Sequence, residues 1–511
     1  MDFYQELQDR NLLDMIKRVP YTAPFLAGWE RVREFLLDIV VNKKSVYIEG
    51  DYDVDGLCSA LVLQESLKDL GVKNYYVYRY RKRTHSVDSV AIQQCVQGHY
   101  DYFIVADTGS SDLGLLKKLN QYGIKVIVLD HHNTDLVYED FGDNIAIINT
   151  TLENALGADL HLSAGALCFI VMDLLYHALG KKIPASFSAF AVVSLFSDVI
   201  SMKDSLNRGL YYLAAGQPEE QLPVQVTYFK NDYTRFNARH IGYWYAPRIN
   251  ACFRSEQFQA INHLFFDNIT ATERAAAINN IENIYTKSRD LVKVVSDIIL
   301  NFCVELKNFV YTDLGKVSSY YDVETYKLYN YTGLVANQVS SVYGKTAVVT
   351  CGQLGSIKGS LRDFCGRNYL PVFKQICKAG GHDAAFGFRL NALDYKQFIC
   401  DLNNIDQKFS IDSVGNAPII IEIGDWEPAD EIMLADAALY NEFASPGVPV
   451  VLVRKRITGA ITERKTDYNY KYNWDGVEIQ SNSRIAFGHC VDLKPILSWK
   501  LKLLNEQGVR L

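Results

Sequence analysis

With 511 residues the chain exceeds the roughly 250–300 at which one core stops growing, so two to four domains are expected. Its 49% apolar and 22% charged residues are those of an ordinary globular protein, and no apolar run reaches the ~18–20 residues that span a bilayer. The net charge of −7 argues against nonspecific coating of duplex nucleic acid but leaves room for a local basic groove. Ten scattered cysteines without a CxxC pair read as reduced thiols, not as a disulfide or zinc framework. With the acidic amphipathic start MDFYQELQDRNLLDMIKRVP, unlike a secretory signal, they make a cytoplasmic setting the expectation.

In chain order, SVYIEG (45–50) reads as a short buried strand and LCSALVLQESLKDLG (57–71) as a helix ended by Gly71. NYYVYRY (74–80), DYFIVAD (101–107) and KVIVLD (125–130) read as strands, with a helix over DLGLLKKLNQYG (112–123). Residues 160–215 read as helical, in SAGALCFIVMDLLYHALG and SAFAVVSLFSDVISMKDSLNRGLYYLAAG. Residues 270–308, free of Pro and Gly, read as one helix of about 35 residues, far above the usual length and suited to a strut between domains. Residues 309–400 return to strands and helices. Residues 417–511 hold the strand-like runs APIIIEI, PVVLVRK and RIAFGHCVDL. Strands alternating with helices imply an α/β fold with a mostly parallel sheet, whose ligands sit beyond the carboxyl ends of the strands.

The acidic residues follow that rule. Asp51, Asp53 and Asp55 come just after the first strand, Asp107 ends the third, and Asp130, His131 and His132 end the fourth. Bunched carboxylates repel and resist desolvation, so such a cluster is costly unless a cation occupies it. Hard oxygens with one or two imidazoles suit Mn²⁺ or Mg²⁺ better than zinc. Calcium is disfavoured, because the twelfth position counted from Asp51 is Val62 and not a glutamate. Taken alone, the DxDxDG fragment could equally be a turn; its combination with acids and histidines at successive strand ends points to a metal site.

GDYDVDG, VADTGSS, LDHHNT and SLFSDVISM resemble, in order and approximate spacing, the four motifs of the DHH phosphoesterase superfamily. Within it the chain is similar to the RecJ-type single-strand-specific exonucleases. APRINACFRSEQFQAINHLF resembles their PRxNAxGR segment. GLVANQVSSVYGKTAVV, GSLRD and GGHDAAFGF resemble the DHHA1 domain, and EFASPGVPVVLV more faintly the entry to an OB-type domain. The resemblance implies a DHH catalytic domain with a helical extension over 1–265, a connecting helix over 266–310 and a smaller α/β DHHA1 domain over 311–410. Residues 411–511 would form a β-rich domain, with an OB-type barrel among its readings. It also implies two divalent metal ions, Mn²⁺ or Mg²⁺, held by Asp53, Asp55, Asp107, His131 and Asp198, with Asp107 bridging. Asp51 and Asp130 would be close supports, and His132 would face the scissile phosphate.

For the substrate the resemblance implies Arg248, Asn250 and Arg254 along the strand path and Ser360 and Arg362 in a 5′-end pocket. Gly380, Gly381 and His382 would sit at the nucleotide bound near the metals. The family's arginine-GYG stretch is YRKRTHSVDS here, so Arg81 or Arg83 stands in for that arginine. The family's small residue after GGH is Phe386, and its glycine in PRxNAxGR is Cys252-Phe253. RKRITGAITERKTDYNYKYNW (454–474) interleaves cations with rings, which suits either single-stranded nucleic acid or a solvated hairpin. The expected activity is 5′-to-3′ degradation of single-stranded DNA by two-metal hydrolysis in DNA repair or recombination, with a single-strand-binding protein or helicase as partner and no membrane. The alternatives are a DHH phosphodiesterase acting on short RNA or cyclic dinucleotides, and an inactive nucleic-acid-binding protein.

Overall fold

The computed structural model describes residues 3–81, 86–134, 136–138, 141–229, 236–317, 328–353, 355–363, 367–382, 385–408, 419–422, 428–443, 451–456, 462–465, 470–474, 477–481 and 490–493. The chain divides into two compact units. One comprises Val19–Ile200 and Leu206–Ile411; the other comprises Met1–Arg18, Ser201–Ser205 and Asp412–Leu511.

The larger unit carries two sheets. The first is fully parallel, with the order β2-β1-β3-β4-β5: β1 (Val46–Gly50), β2 (Tyr75–Val77), β3 (Tyr102–Ala106), β4 (Lys125–Asp130) and β5 (Ile145–Asn149). β1, β3 and β5 are buried at every residue, as expected of strands covered by helices on both faces. Register positions the site. Gly50 pairs with Ala106 and Ala106 with Leu129, so the next residues, Asp51, Asp107 and Asp130, emerge level at one edge. β5 was not among the expected strands; IAIIN is short and opens directly into the helix Thr150–Ala155.

The second sheet has the order β10-β11-β9-β8-β7-β6, mixed in direction: β6 (Val304–Glu305), β7 (Phe309–Asp313), β8 (Thr346–Gln353), β9 (Ser356–Arg362), β10 (Lys378–His382) and β11 (Ala385–Asn391). Apolar clusters lie around Phe373, Phe386, Phe388 and Phe398 and around Val295, Val335, Val339 and Val349.

Three helices depart from the sequence reading. The long helix runs only Ala271–Ile299, opened by a Thr270/Glu273 capping box, and residues 304–305 are strand. The carboxylate of Asp406 receives the backbone N–H groups of Lys307 (3.0 Å), Asn308 (2.6 Å) and Phe309 (3.2 Å), which closes the turn between β6 and β7. The helical stretch after residue 188 breaks into Ser188–Ser197 and Ser205–Ala215, with Asp198 as the C-cap and Val199 at φ +56°. The segment 113–122 is one turn of α-helix followed by a 3₁₀ stretch. In the smaller unit, β12 (Ile419–Glu422), β13 (Val451–Arg456) and β17 (Cys490–Leu493) form one three-stranded sheet. β14 (Thr462–Lys465), β15 (Tyr470–Trp474) and β16 (Val477–Ser481) form another. The connections that would decide a barrel lie outside the described residues.

Candidate metal centre

The turn after β1 is compact because glycines allow it. A Cβ on Gly56 would lie 2.3 Å from the backbone N and O of Asp51. Asp53 caps the helix Val54–Asp69, accepting from Gly56 N at 3.0 Å. Asp55, in the first turn, points the other way. Its oxygens accept from Ala164 N (2.9 Å) and Gly165 N (2.8 Å) at the start of the helix Ala164–Ala178, and from the Ser194 hydroxyl. Asp107 has φ +64°, a left-handed conformation that Asp tolerates better than most residues; its N–H donates to Leu129 O at 2.9 Å. Asp130 accepts from Ser110 N (3.2 Å), His131 N (2.8 Å) and His132 N (3.2 Å), and lies 2.9 Å from His132 Nδ1.

These groups converge. His131 Nε2 lies 3.2 Å from Asp107 Oδ1, 3.6 Å from Asp55 Oδ2 and 3.6 Å from Asp198 Oδ2. Ligand atoms also gather within 4.8 Å of one another in Asp107–His131–His132 and in Asp51–Asp53–Asp107, so Asp107 joins both histidines to the first aspartate loop. Neighbouring ligands on an octahedral ion at about 2.1 Å stand about 3 Å apart, close to these separations. Among the described residues buried Asp107 Oδ1 accepts no hydrogen bond, and the candidate ligands are carboxylate oxygens plus imidazole, so the residues present fit a divalent ion.

Without a cation the cluster is electrostatically unfavourable. Burial, then Asp198 and Asp53, raises the Asp55 carboxyl to about 7, and burial with Asp55, Asp53 and Asp51 raises Asp107 well above the carboxylate range. Burial alone would lower the His132 pKa, but the hydrogen bond and charge of Asp130, aided by Asp51 and Asp198, raise it to about 10. Its side chain nonetheless keeps 45% of its surface in solvent, which screens the effect at the open edge. Asp130 is held below the ordinary carboxylate range: burial opposes this, and the bond to His132 outweighs it. Metal-free protein is therefore expected to lose stability as pH rises from 3.8 to about 7, because folded Asp55 holds a proton that the unfolded chain has already released. Thermal melts in chelator check this; a melting temperature that climbs across that window would contradict it.

The other expected residues are scattered in role. Arg248 is buried and stacked between Trp244 (4.8 Å) and Tyr285 (4.7 Å); it is bonded to Glu282 and, at 2.7 Å, to Trp244 O. Its guanidinium thus serves the protein's own packing. Asn250 and Arg254 are half-buried on the helix Ala246–Arg254. Ser360 Oγ lies 2.9 Å from Thr332 Oγ1, and Arg362 Nη1 donates to Leu361 O at 2.7 Å. A Cβ on Gly333 would lie 2.7 Å from Arg362 Nη2, so Arg362 rests on the first turn of the helix Thr332–Tyr343. Thr332 and Gly333 were missed in the sequence, where TG opening a helix is an ordinary start. Gly380 and Gly381 lie in β10, Gly381 at φ +131° against Phe386. The His382 side chain and Arg83 lie outside the described residues; Arg81 is exposed. Phe386 packs inward, its ring 5.1 Å from Phe373.

Residues 45–193 match the model of the DHH family, N-terminal domain. This stretch is a DHH domain. All the clustered residues except Asp198 lie within it. The chain is 23% identical over 403 residues to the single-stranded-DNA-specific exonuclease RecJ of Bacillus subtilis, covering 76% of this chain and 49% of that protein. It is 20% identical over 419 residues to RecJ of Haemophilus influenzae, covering 77% and 72%. The chain thus spans about half the length of the Bacillus relative. The crystal structure of Thermus thermophilus RecJ in complex with Mn²⁺ aligns over 95% of this chain and 74% of its own, at 17% identity and a TM-score of 0.74. The RecJ structure in complex with Mg²⁺ gives 0.66, at 18% identity and with coverage of 95% and 72%. These likenesses show the α/β fold around the DHH domain. Among the described residues no helix is long and apolar enough to cross a membrane.

Proposed function

We propose that the protein is a metal-dependent exonuclease that degrades single-stranded DNA from the 5′ end. The observation carrying this reading is the set of interlocking carboxylate–histidine groups at one edge of the DHH-domain sheet, with Asp107 common to the two that extend from the histidines to the first aspartate loop. The similarity to RecJ proteins, named as single-stranded-DNA-specific exonucleases, supports the substrate class. Two ions are proposed, one towards Asp55, His131 and Asp198 and one towards Asp51, Asp53 and Asp107. A pair of divalent ions supplies an attacking nucleophile at neutral pH and neutralises charge on the phosphodiester. Asp107 belongs to the second set, and its Oδ1 lies 3.2 Å from His131 Nε2 of the first, so it would serve both ions. Asp130 orients His132 through Nδ1, so Nε2 is the ring atom that meets a phosphate or leaving oxygen.

The sheet of β6–β11 is proposed as the substrate-binding domain. Ser360 and Arg362, with Thr332 and the N–H groups opening the helix Thr332–Tyr343, would take a 5′-terminal phosphate. Gly380, Gly381 and His382 would meet the terminal nucleotide. Asn250 and Arg254 would line the strand path, with the connecting helix between the domains. A role for the chain in DNA repair or recombination beside a single-strand-binding protein or helicase belongs to the same proposal.

Labelled single strands, blunt duplexes and dinucleotides, incubated with Mn²⁺ or Mg²⁺ and read for direction, test the reading. Single strands should shorten from the 5′ end only with added metal, and blunt duplex should be a poor substrate. Rapid digestion of blunt duplex without a helicase, or full activity in chelator, would overturn it.

A further inference from the structure

Tyr80 follows β2 and is almost wholly buried, yet among the described residues its hydroxyl has no hydrogen-bond partner. Buried tyrosine hydroxyls ordinarily find one. The residue is held firmly. Its N–H donates to Asn262 Oδ1 and its carbonyl accepts from Asn262 Nδ2, both at 2.9 Å. Its ring meets Phe253 edge-on at 4.9 Å, Tyr52 at 5.1 Å and Phe266 at 6.0 Å. Tyr52 stands between Asp51 and Asp53 in the loop, so Tyr80 backs directly onto that loop. The charges felt most by its phenol are those of Asp53, Asp51 and Asp107, which add to burial in keeping it protonated.

We propose that the Tyr80 hydroxyl is a hydrogen-bond donor to an oxygen ligand of the divalent ion held by Asp51, Asp53 and Asp107. The inference rests on the metal reading above and adds a positioning residue to it. Three acids crowd one ion, and a carboxylate that swings away leaves the ion underheld. A fixed donor behind the ligand restricts that motion and selects one carboxylate orientation.

Calorimetric titration with Mn²⁺ of wild type and Tyr80→Phe, with thermal melts of both in chelator, tests it. Tyr80→Phe is expected to bind Mn²⁺ about ten- to a hundredfold more weakly, the usual cost of losing such a partner. Its metal-free melting temperature should be no lower than wild type, since the lost hydroxyl had no partner to lose. At saturating Mn²⁺ its KM for single strands should be unchanged. Equal Mn²⁺ affinity in the two proteins overturns the inference while leaving the metal reading intact. A large fall in the metal-free melting temperature also overturns it, because the hydroxyl would then have a structural role. Failure of wild type itself to bind Mn²⁺ brings down both.

Discussion

Asp107→Asn is expected to cut hydrolysis about a thousandfold or more, and Asp51→Asn by clearly less. The proposed site asks Asp107 to serve both ions, and each such ion contributes several kcal/mol of charge stabilisation at a tenfold rate change per 1.36 kcal/mol. Geometry gives the asymmetry: Asp107 is grouped with His131 and His132 and again with Asp51 and Asp53, whereas Asp51 belongs to one group. Asparagine is the informative replacement because it tolerates the φ of +64° that Asp107 adopts, so backbone strain does not confound the result. The effect on stability has the opposite sign. Burial and four neighbouring carboxylates hold the Asp107 pKa high, so at neutral pH its charge is a liability in metal-free protein. Asp107→Asn should therefore melt no lower than wild type in chelator and lose most of the stabilisation that Mn²⁺ gives wild type. Equal rates for the two variants would show that the bridge lies elsewhere. A large fall in metal-free melting temperature would make Asp107 a structural residue.

Arg362→Ala is expected to raise KM for 5′-phosphorylated strands about ten- to a hundredfold with little change in kcat, and to erase any preference for 5′-phosphate over 5′-hydroxyl. Charge-assisted hydrogen bonds are worth roughly 1.5–3 kcal/mol, which sets that range. The competing role, an ion pair with the adjacent Asp363, is weakened by the structure. Asp363 is engaged by Arg367, whose Nη2 lies 2.8 Å from Oδ1, by Arg367 N at 2.6 Å and by the Thr346 hydroxyl. Among the described residues no carboxylate pairs with Arg362, and burial lowers its pKa to about 10. A buried guanidinium bonded mainly to backbone carbonyls beside a helix N-terminus has capacity left for an anion. Steady-state kinetics on strands with either end chemistry decide the matter. If wild type itself shows no preference, the pocket does not exist.

Asp51, Asp107 and Asp130 of the candidate site were legible because each ends or follows a strand, and strand ends are marked locally. The strands Val46–Gly50, Tyr102–Ala106 and Lys125–Asp130 end at or just before Asp51, Asp107 and Asp130, and parallel register then brings those three residues level. Arg248 shows the opposite case. In sequence it is a cation in a motif; in the fold it is closed in by Trp244, Tyr285 and Glu282, contacts that its own segment only partly contains. Tyr80 was invisible for the same reason. Its neighbours Phe253 and Asn262 come from residues some 180 positions away, and no local pattern signals an unpartnered hydroxyl.

The sequence by itself determined the parallel α/β sheet, the edge at which acids gather and the oxygen-rich donor set, because apolar run length and strand-end chemistry are local properties. Tertiary structure alone decided how the turn after β6 is closed and which cations remain open. That turn is fixed because Asp406, about a hundred residues away, captures the N–H groups of Lys307, Asn308 and Phe309. Among the described residues Arg362 is left without a carboxylate, because Arg367 takes Asp363 first. Both outcomes are competitions for a hydrogen-bonding partner, and the winner is set by which groups the fold brings within about 3 Å.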